Sequence, residues 1–594
     1  MNQPRYLITT ADQATWKFDQ PVIFLGEWCK LYDHKIIWER MNAITCPPYG
    51  LGKTKKDSDN SKARELEYKL FPRVCDLLNH YHGTSHSERY WRIILGNWFS
   101  RSTDVLFNRI MTLQQCFDLY NICGTTVYAN NNYHLVRQDS SSATWAFNDH
   151  YWNNALNERI LALTGNQDVI TDYIFEDLQK KFSTKSKGDV FDSRLKILRS
   201  LKSKCIEIIS SILGSISRET DAFIISTYLP RIEEFKLHIY LGQVPQLWNL
   251  PKLKTFAKPN FQYRKYLAKQ LGKESADHME KLISALLFEV MPICFLEDYN
   301  EIKKLSSNLP WPSKPKFIFT SNYFDTIELF KFWTASKVEL GVQYFIGQHG
   351  NIYGAARNQS NPSNEEIVSD KFLTWGWSDG LPQHRPAFIF KTAGKKAKSF
   401  NPNGSLLLIQ MTVDHRIYTG DSSFEYLGYF NDQVNFVNNL SKGPKEKLLI
   451  RLYAPLQSLN GSDEAKWNEF DPTLKIDNGA GSIRKLIRDS RLVVHSYDST
   501  GILETLSLNR PTLAFWQNDL EHLRESAIPY YQLLVDVGIF HLSAESASNK
   551  VNEVWNNIEG WWRQSRIQAA RKEFCSRYAV VSKSPIKDLI KVLT

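Results

Sequence analysis

Cysteine is scarce in this sequence. Eight cysteines occur in 594 residues, and no two of them form a CxxC pair. Zinc ribbons and thioredoxin-type redox sites use paired cysteines, so neither is expected. Eight scattered thiols also make no disulfide framework, which indicates reduced cysteines in a cytoplasm.

Long hydrophobic runs are missing as well. The most apolar window, LISALLFEVMPICFLED (282–298), contains Glu289 and Pro292 and is shorter than a bilayer span. The first residues are too polar for a secretory signal peptide. We therefore expect a cytoplasmic protein whose contact with an inner membrane is at most peripheral.

The common phosphate-binding fingerprints are absent too. Neither GxxxxGK[ST] nor GxGxxG occurs, which disfavours an ATPase or a dehydrogenase. No nucleic-acid-binding motif accompanies the net charge of +10, so no nucleic-acid partner is expected. No strand-end loop carries a DxD-like motif and no His/Cys cluster has ligand spacing, so no metal and no cofactor are expected.

The composition that remains is ordinary for a large globular protein. Hydrophobic residues make up 42% and charged residues 23%, and the length suggests two or three domains. Aromatic residues reach 13%, which fits a large core or stacking surfaces for sugars. Two locally basic stretches, 180–204 and 391–398, are either solvated surfaces or patches for anionic lipid or acidic glycan.

Short apolar runs that read as strands alternate with helical patterns. The strand candidates are 5–11, 21–28, 221–227, 316–322, 342–350, 371–377, 405–411, 447–454, 492–498 and 511–516. Apolar residues at helical spacing predict helices over 61–81, 104–120 and the last fifty residues. The alternation is typical of βαβ units in a parallel sheet, so the predicted fold class is α/β.

Three prolines in NLPWPSKPK (308–316) predict a linker. We therefore predict an N-terminal α/β domain with helical insertions over 1–307 and a Rossmann-like domain over 317–545. A helical segment, 546–594, would pack back across both.

The strongest local signal is LVVHSYDSTGILETLSLNRPTLAFW (492–516), which reads as strand, turn, helix, strand. His495 ends the strand, and Ser499, Thr500 and Gly501 fall where the helix begins. Free backbone N–H groups and the positive end of the helix dipole there can bind a phosphate.

One turn further along, the carboxylate of Glu504 can accept hydrogen bonds from a ribose. The alternative for the same segment is plain helix capping by Asp498 or Ser499.

A second signal is YFIGQHGNIYG (344–354), in which a strand ends at Gln348, His349 and Gly350. Glycines on both sides of His349 open the space above its imidazole, so the ring could bond a phosphate or a leaving-group oxygen. A structural histidine is the alternative.

A third signal is IFTSNYFDT (318–326), where Asn322 and Asp325 follow a strand end. Asp325 could be a base, a nucleophile or the N-cap of the next helix. Arg451 ends another strand and could pair with a phosphate or form a structural ion pair.

The N-terminal half offers fewer candidates. Glu27 and Cys29 lie in a strand-end loop, where Glu27 is a second carboxylate candidate; no hydrolase signature supports Cys29 as a nucleophile. Arg89 and Arg92 share a helix face and could hold an acidic substrate, although Glu88–Arg92 also fits an ordinary i,i+4 pair.

These motifs together resemble the surface-polysaccharide transferases of bacterial O-antigen loci. The matching stretches span nearly the whole chain and are YLITTADQATWKFDQPVIFLGEWC, SERYWRIILGNWF, IFTSNYFDT, YFIGQHGNIYG and HSYDSTGILETLSLNRPTLAFW. The C-terminal motifs also resemble the donor-binding half of GT-B glycosyltransferases and, more distantly, Kdo and nonulosonic-acid transferases and glycerol-phosphate polymerases. The sequence departs from the family pattern at LYAPLQSLNG (452–461), where a His- and Asp-containing loop is expected.

The resemblance implies a GT-B fold, with two Rossmann-like domains facing a cleft and a nucleotide-activated sugar in the C-terminal one. It implies a metal-independent glycosyltransferase, retaining in some relatives, with a CMP-linked ulosonic acid such as Kdo or a nonulosonic acid as the favoured donor. The implied acceptor is a lipid-linked or growing surface glycan. The alternatives are a CDP-polyol phosphotransferase and a non-catalytic glycan- or nucleotide-binding component. The expected catalytic residues are Asp325, His349 and Glu27.

Overall fold

The computed structural model describes residues 3–129, 135–165, 169–175, 216–395, 401–411, 426–453, 462–516 and 519–594, apart from 249, 252, 254–256, 276, 352 and 358–361. The basic segment 180–204 lies outside these residues. So do residues 396–398 of the second basic stretch and 454–461 of the loop that departs from the family pattern.

Within the described residues, sixteen strands form three sheets, and all of their pairings are parallel. The first sheet has the order β3-β2-β1-β4-β5. Its strands are β1 (Arg5–Ile8), β2 (Val22–Phe24), β3 (Ala43–Thr45), β4 (Ile122–Tyr128) and β5 (Ile170–Ile174). The order reverses between β1 and β4, as in a Rossmann-type sheet.

The second sheet has no such reversal, because its order β10-β9-β8-β7-β6 follows the sequence from one edge to the other. Its strands are β6 (Phe223–Ile224), β7 (Ile318–Thr320), β8 (Tyr344–Gly347), β9 (Lys371–Thr374) and β10 (His384–Pro386).

The third sheet has the order β13-β12-β11-β14-β15-β16, the full Rossmann order. Its strands are β11 (Ser405–Ile409), β12 (Leu448–Arg451), β13 (Lys475–Asp477), β14 (Ser490–His495), β15 (Thr512–Phe515) and β16 (Phe540–His541). The order reverses between β11 and β14, and ligands of such sheets bind beyond the carboxyl ends of the strands at this point.

The helices among the described residues pack around these sheets. In chain order they are α1 (Lys35–Trp38), α2 (Lys53–His82), α3 (Glu88–Leu119), α4 (Ser140–Ala146), α5 (His150–Thr164), α6 (Arg231–Tyr240), α7 (Phe261–Gly272), α8 (His278–Val290), α9 (Tyr299–Ser307), α10 (Glu328–Glu339), α11 (Asn364–Val368), α12 (Tyr426–Asn438), α13 (Lys442–Glu446), α14 (Ser462–Phe470), α15 (Ile483–Asp489), α16 (Thr500–Ser507), α17 (Ile528–Asp536), α18 (Ala544–Val554), α19 (Ile558–Trp562), α20 (Ser565–Tyr578) and α21 (Pro585–Leu593). None of them has the length and apolarity needed to cross a lipid bilayer.

Helix α3 is the central element between the first and second sheets. Ser87 caps its start by accepting a hydrogen bond from the Tyr90 amide. The helix is buried on most of its surface and contacts α2, α8, α10 and α11. It therefore carries side chains of the N-terminal half into the region where the second sheet ends.

The predicted α/β class with parallel, Rossmann-like sheets is confirmed, but the second sheet was not expected. It includes β6 from before residue 307 and β7 from after residue 317, so it crosses the predicted domain boundary. Trp311 of the predicted linker is buried, with its ring 4.5 Å from that of Phe223 and 5.0 Å from that of Trp333. The proline-rich segment is therefore a packed connection inside the unit that holds the second sheet.

The C-terminal helices extend from the third sheet to the second. Helix α20 packs on α16 and α17, and the Arg571 guanidinium donates to the Leu506 carbonyl at 2.9 Å. Helix α21 packs on α6, and the Lys371 ammonium reaches the Val592 carbonyl at 2.9 Å.

Candidate functional site

The carboxyl ends of β7 and β8 bring Asp325 and His349 together. The two strands are neighbours, and the loops that follow them leave the sheet at the same edge. The His349 ring lies 5.6 Å from the ring of Phe324, and the Asp325 carboxylate acts on the imidazole electrostatically. The two residues thus form one cluster at the rim of the second sheet.

Asp325 does not cap the helix that follows it. That helix, α10, begins at Glu328 with Ile327 at the cap position, so the capping alternative is wrong. The Asp325 carboxylate instead pairs with the Arg101 guanidinium at 2.7 Å and is 26% exposed. Arg101 comes from the middle of α3, and nothing in its local sequence marks it as a site residue.

His349 is partly buried and neutral at pH 7. Burial lowers the pKa of its imidazole to about 4; the charges of Lys391 and Arg101 act in the same direction, and that of Asp325 acts against them. Its Nδ1 lies 3.1 Å from the Tyr353 hydroxyl, and among the described residues its Nε2 has no hydrogen-bond partner. The ring can therefore offer Nε2 to a ligand.

Lys391 joins this cluster to the third sheet. It lies in a 3₁₀ turn after β10, with its Nζ 3.3 Å from the Glu504 carboxylate and 5.1 Å from the centre of the Tyr228 ring. The next residue, Thr392, is hydrogen-bonded to Ser507 of α16 at 3.2 Å. Glu504, predicted to contact a ribose, is thus paired with a lysine that also faces His349.

The start of α16 lies at the reversal point of the third sheet, directly after β14. Ser499 occupies the cap position, but its side chain makes no capping bond. Asp498 does not cap either, because its carboxylate accepts from Asn351 and Tyr531 at 3.0 Å each. The helix start, with Thr500 as its first residue, therefore carries no side-chain cap. Its first backbone N–H groups remain available to bind a phosphate.

His495 supports this helix start from within the sheet. It is buried, and burial lowers the pKa of its imidazole to about 3. Its Nδ1 lies 3.3 Å from the Ser499 hydroxyl. A Cβ atom on Gly501 would lie 2.7 Å from the ring, so the glycine is needed for the approach of His495 and not only for that of a ligand.

Gln348 and Gly350 shape the loop after β8 through hydrogen bonds within the protein. The buried Gln348 oxygen accepts from the Trp375 amide and from the Trp377 indole at 2.8 Å each. Its amide nitrogen donates to the Gly350 carbonyl at 2.7 Å. Asn322 lies in the turn after β7, where its carbonyl accepts from the Asp325 amide at 3.3 Å.

Two predicted residues lie apart from this cluster. Arg451 pairs with Asp477 and donates to the Gly479 carbonyl at 2.7 Å, which is the structural ion pair left open above. Glu27 lies in the 3₁₀ turn after β2 and pairs with Lys30 at 2.9 Å, and no contact within the described residues joins it to His349.

The other N-terminal candidates have structural partners. Burial raises the pKa of the Cys29 thiol to about 12, so it is no nucleophile at neutral pH. Arg92 pairs with Glu88 at 2.8 Å, and Arg89 pairs with Asp370 at 2.9 Å. In the part of the chain that the structure describes, no group of three His, Cys, Asp or Glu side chains could hold a metal ion.

Two solved glycosyltransferase structures are similar to part of the chain. WaaG, a glycosyltransferase involved in lipopolysaccharide biosynthesis, is 10% identical, with 50% of this chain and 95% of that chain covered at a TM-score of 0.25. The spinosyn rhamnosyltransferase SpnG in complex with spinosyn aglycone is 10% identical, and the match covers 50% of this chain and 80% of that chain at a TM-score of 0.28. At these scores the likeness supports no conclusion about fold or activity.

A comparison with curated proteins gave no match. The model of the LIC12162 family transferases, in contrast, matches residues 5–593. That match covers nearly the whole chain and includes all three sheets, with Asp325, His349 and the start of α16. The chain therefore belongs to the LIC12162 family of transferases.

Proposed function

We propose that this transferase is a glycosyltransferase that moves a sugar from a nucleotide-activated donor to a bacterial surface glycan. The favoured donor is a CMP-linked ulosonic acid, Kdo or a nonulosonic acid. The observation that carries the proposal is the meeting of Asp325 and His349 with the uncapped start of α16, joined through Lys391. The carboxylate of Asp325 thereby lies beside groups that can bind a phosphate.

The charges in the cluster match those of the reaction. Breaking the bond between the sugar and the phosphate builds positive charge at the anomeric carbon and negative charge on the leaving phosphate. Asp325 would stabilise or attack the carbon, while Lys391 and the α16 amides would stabilise the phosphate and His349 would assist its departure. Because cationic groups and helix amides are already there, the proposed reaction needs no metal ion.

A screen of CMP-, CDP-, UDP- and GDP-linked donors by calorimetry, followed by turnover assays in EDTA, tests this function. We expect binding of CMP-linked ulosonic acids and glycosidic transfer that EDTA leaves unchanged. A product with a phosphodiester linkage would instead identify a CDP-polyol phosphotransferase. Binding with no turnover would identify a non-catalytic component, and turnover that needs added magnesium or manganese would contradict the metal-free mechanism.

Replacing Lys391 by methionine is expected to weaken donor binding about 10- to 100-fold, equivalent to about 1.5–3 kcal/mol for a lost charged hydrogen bond. The side chain is 25% exposed, so its loss should leave the fold intact. Calorimetry with the CMP-linked donor measures the effect. Lys442→Met, at a lysine that is 88% exposed and remote from the cluster, is the control and should bind normally. Equal donor affinity of the two variants would show that Lys391 does not bind the donor.

We also propose a peripheral contact with an anionic membrane. Helix α6 exposes a row of large apolar side chains, Ile232 (70%), Phe235 (53%), Ile239 (55%) and Tyr240 (58%). Exposed apolar residues on one helix face, with Arg231 and Lys236 beside them, are typical of interfacial helices. The segment 180–204, with nine lysines and arginines, precedes this helix in the sequence.

Co-sedimentation with phosphatidylglycerol vesicles tests this contact. The wild-type protein is expected to bind these vesicles and not to bind phosphatidylcholine vesicles. The double change Phe235→Ser and Ile239→Ser should lower binding about 10-fold, because two apolar side chains no longer enter the interface. Leu340→Ser, at a 78% exposed leucine after α10, is the matched control. Undiminished binding of the double variant would exclude α6 as the contact.

A further inference from the structure

A buried glutamate is connected to His349 through one tyrosine. Glu365 lies on α11, which packs on α3, β8 and β9. Its carboxylate is hydrogen-bonded to the Tyr353 hydroxyl, and that hydroxyl is 3.1 Å from His349 Nδ1. Glu365 and Tyr353 are both buried, so the chain of three groups is shielded from water until it reaches His349.

The chain has two arrangements, because each hydroxyl or N–H can donate only one hydrogen bond. With Glu365 ionised, Tyr353 donates to it, Nδ1–H of His349 donates to the tyrosine oxygen, and Nε2 is a bare acceptor. With Glu365 protonated, the carboxyl donates to Tyr353, the hydroxyl donates to Nδ1, and the hydrogen of the imidazole is on Nε2. The state of a buried carboxyl therefore decides whether His349 presents an acceptor or a donor.

We propose that Glu365 is the proton source of the site and that Tyr353 is its relay to His349. This inference rests on the proposed function. As the sugar–phosphate bond breaks, Nε2–H passes its proton to the leaving phosphate, Nδ1 takes the hydroxyl proton of Tyr353, and the tyrosine oxygen takes the proton of Glu365. The proton that appears on the released nucleotide is the one that Glu365 has lost, and no imidazolium forms.

The surroundings of the chain favour this route. Burial raises the pKa of Glu365 to about 7; the hydrogen bond from Tyr353 acts against this rise, and the charges of Glu366 and Asp325 add to it. The imidazole faces Asp325, Lys391 and Arg101, and its lowered pKa disfavours a charged ring. A neutral histidine can thus act as an acid only if another group supplies the proton, and Glu365 is the carboxyl in hydrogen-bonded series with it.

The experiment is ¹⁵N NMR of the full-length protein labelled at histidine, with the His349 signals identified as those missing from His349→Gln. In the wild type we expect the hydrogen to move from Nε2 to Nδ1 as the pH rises through about 7. In Glu365→Gln and in Tyr353→Phe this change should disappear. Glu366→Gln is the matched control, because Glu366 is also buried but bonds His384 at 2.8 Å and is not a member of the chain; the tautomer change should persist in this variant, at a lower pH, since the charge of Glu366 raises the pKa of Glu365.

Turnover provides the second measurement. Glu365→Gln should lower kcat about 10- to 100-fold with an unchanged donor KM, and the fall of wild-type kcat above neutral pH should disappear. A wild-type His349 tautomer that stays constant through pH 7, or one that still titrates in both Glu365→Gln and Tyr353→Phe, would overturn the relay. A titrating tautomer in a protein that transfers no sugar would instead refute the proposed function and leave the relay standing. If Glu365→Gln does not fold, the tautomer of His349 in Tyr353→Phe alone tests the relay.

Discussion

Replacing Asp325 with asparagine is expected to lower kcat about 10²- to 10⁴-fold while donor affinity changes by no more than about twofold. In the proposed reaction the carboxylate interacts with charge that develops at the anomeric carbon, and the ground-state donor carries little of that charge. The ion pair with Arg101 is partly exposed, so its loss should cost at most about 1 kcal/mol of stability. Release of CMP from a CMP-linked ulosonic acid gives kcat, and calorimetry gives the affinity.

Asp379→Asn is the matched control for this change. Asp379 also pairs with an arginine, Arg524, and is 21% exposed, but it lies outside the cluster around His349. It should keep near-normal kcat. Should Asp325→Asn turn over donor as fast as the wild type, the catalytic carboxylate lies elsewhere, and Glu27→Gln becomes the next variant to measure.

The strands that the sequence predicts well are buried ones. Runs such as SLLLIQM and KFIFTSN are apolar because parallel strands covered on both faces contact only other apolar groups. The missed strands β5, β10 and β13 carry exposed or charged residues, β3 has three residues that are only partly buried, and β16 has only two residues. Central strand β4 was missed because it contains Gly124, where the ring of Tyr6 approaches to 2.7 Å of a Cβ position.

The division of the chain into three sheets depends on strand pairings that no local sequence pattern shows. Pairing of β6 with β7 closes a segment whose described residues hold four α-helices, and the sequence of DAFIIST does not indicate its partner. Prolines at 308–316 are typical of a linker, yet they are equally compatible with a connection fixed by the burial of Trp311. The second sheet could therefore be recognised only in three dimensions.

The candidate site was predictable where it follows strand ends. Asp325 and His349 lie directly after β7 and β8, and a parallel sheet brings such positions to one edge. Arg101 and Lys391 come from a helix interior and a 3₁₀ turn, and Glu365 comes from a short helix. Arg101 and Glu365 belong to no motif, and Lys391 was noted only as part of the basic stretch 391–398, because the nearness of these residues to the site is a property of packing between sheets.

Lys331→Met is expected to lower the free energy of unfolding by about 3–5 kcal/mol. Lys331 and Glu328 are each 2% exposed, and their charged groups lie 2.9 Å apart at the start of α10. The same ammonium donates to the Ser140 hydroxyl at 2.8 Å, and Glu328 accepts from the Ser140 amide at 3.0 Å. Methionine would leave the glutamate charge buried without compensation, where two halves of the chain meet. Urea denaturation measures the loss.

The double variant Lys331→Met, Glu328→Gln separates an uncompensated charge from lost packing. A neutral glutamine keeps the shape of Glu328 and can still accept from the Ser140 amide, so it should recover most of the stability lost in the single variant. Loss of the pair should also lower kcat, because Lys331 donates to the Asp325 carbonyl at 3.3 Å and holds the loop that carries the carboxylate proposed to be catalytic. If the double variant is as unstable as Lys331→Met, packing of the lysine stem and not its charge fixes α10 against α4.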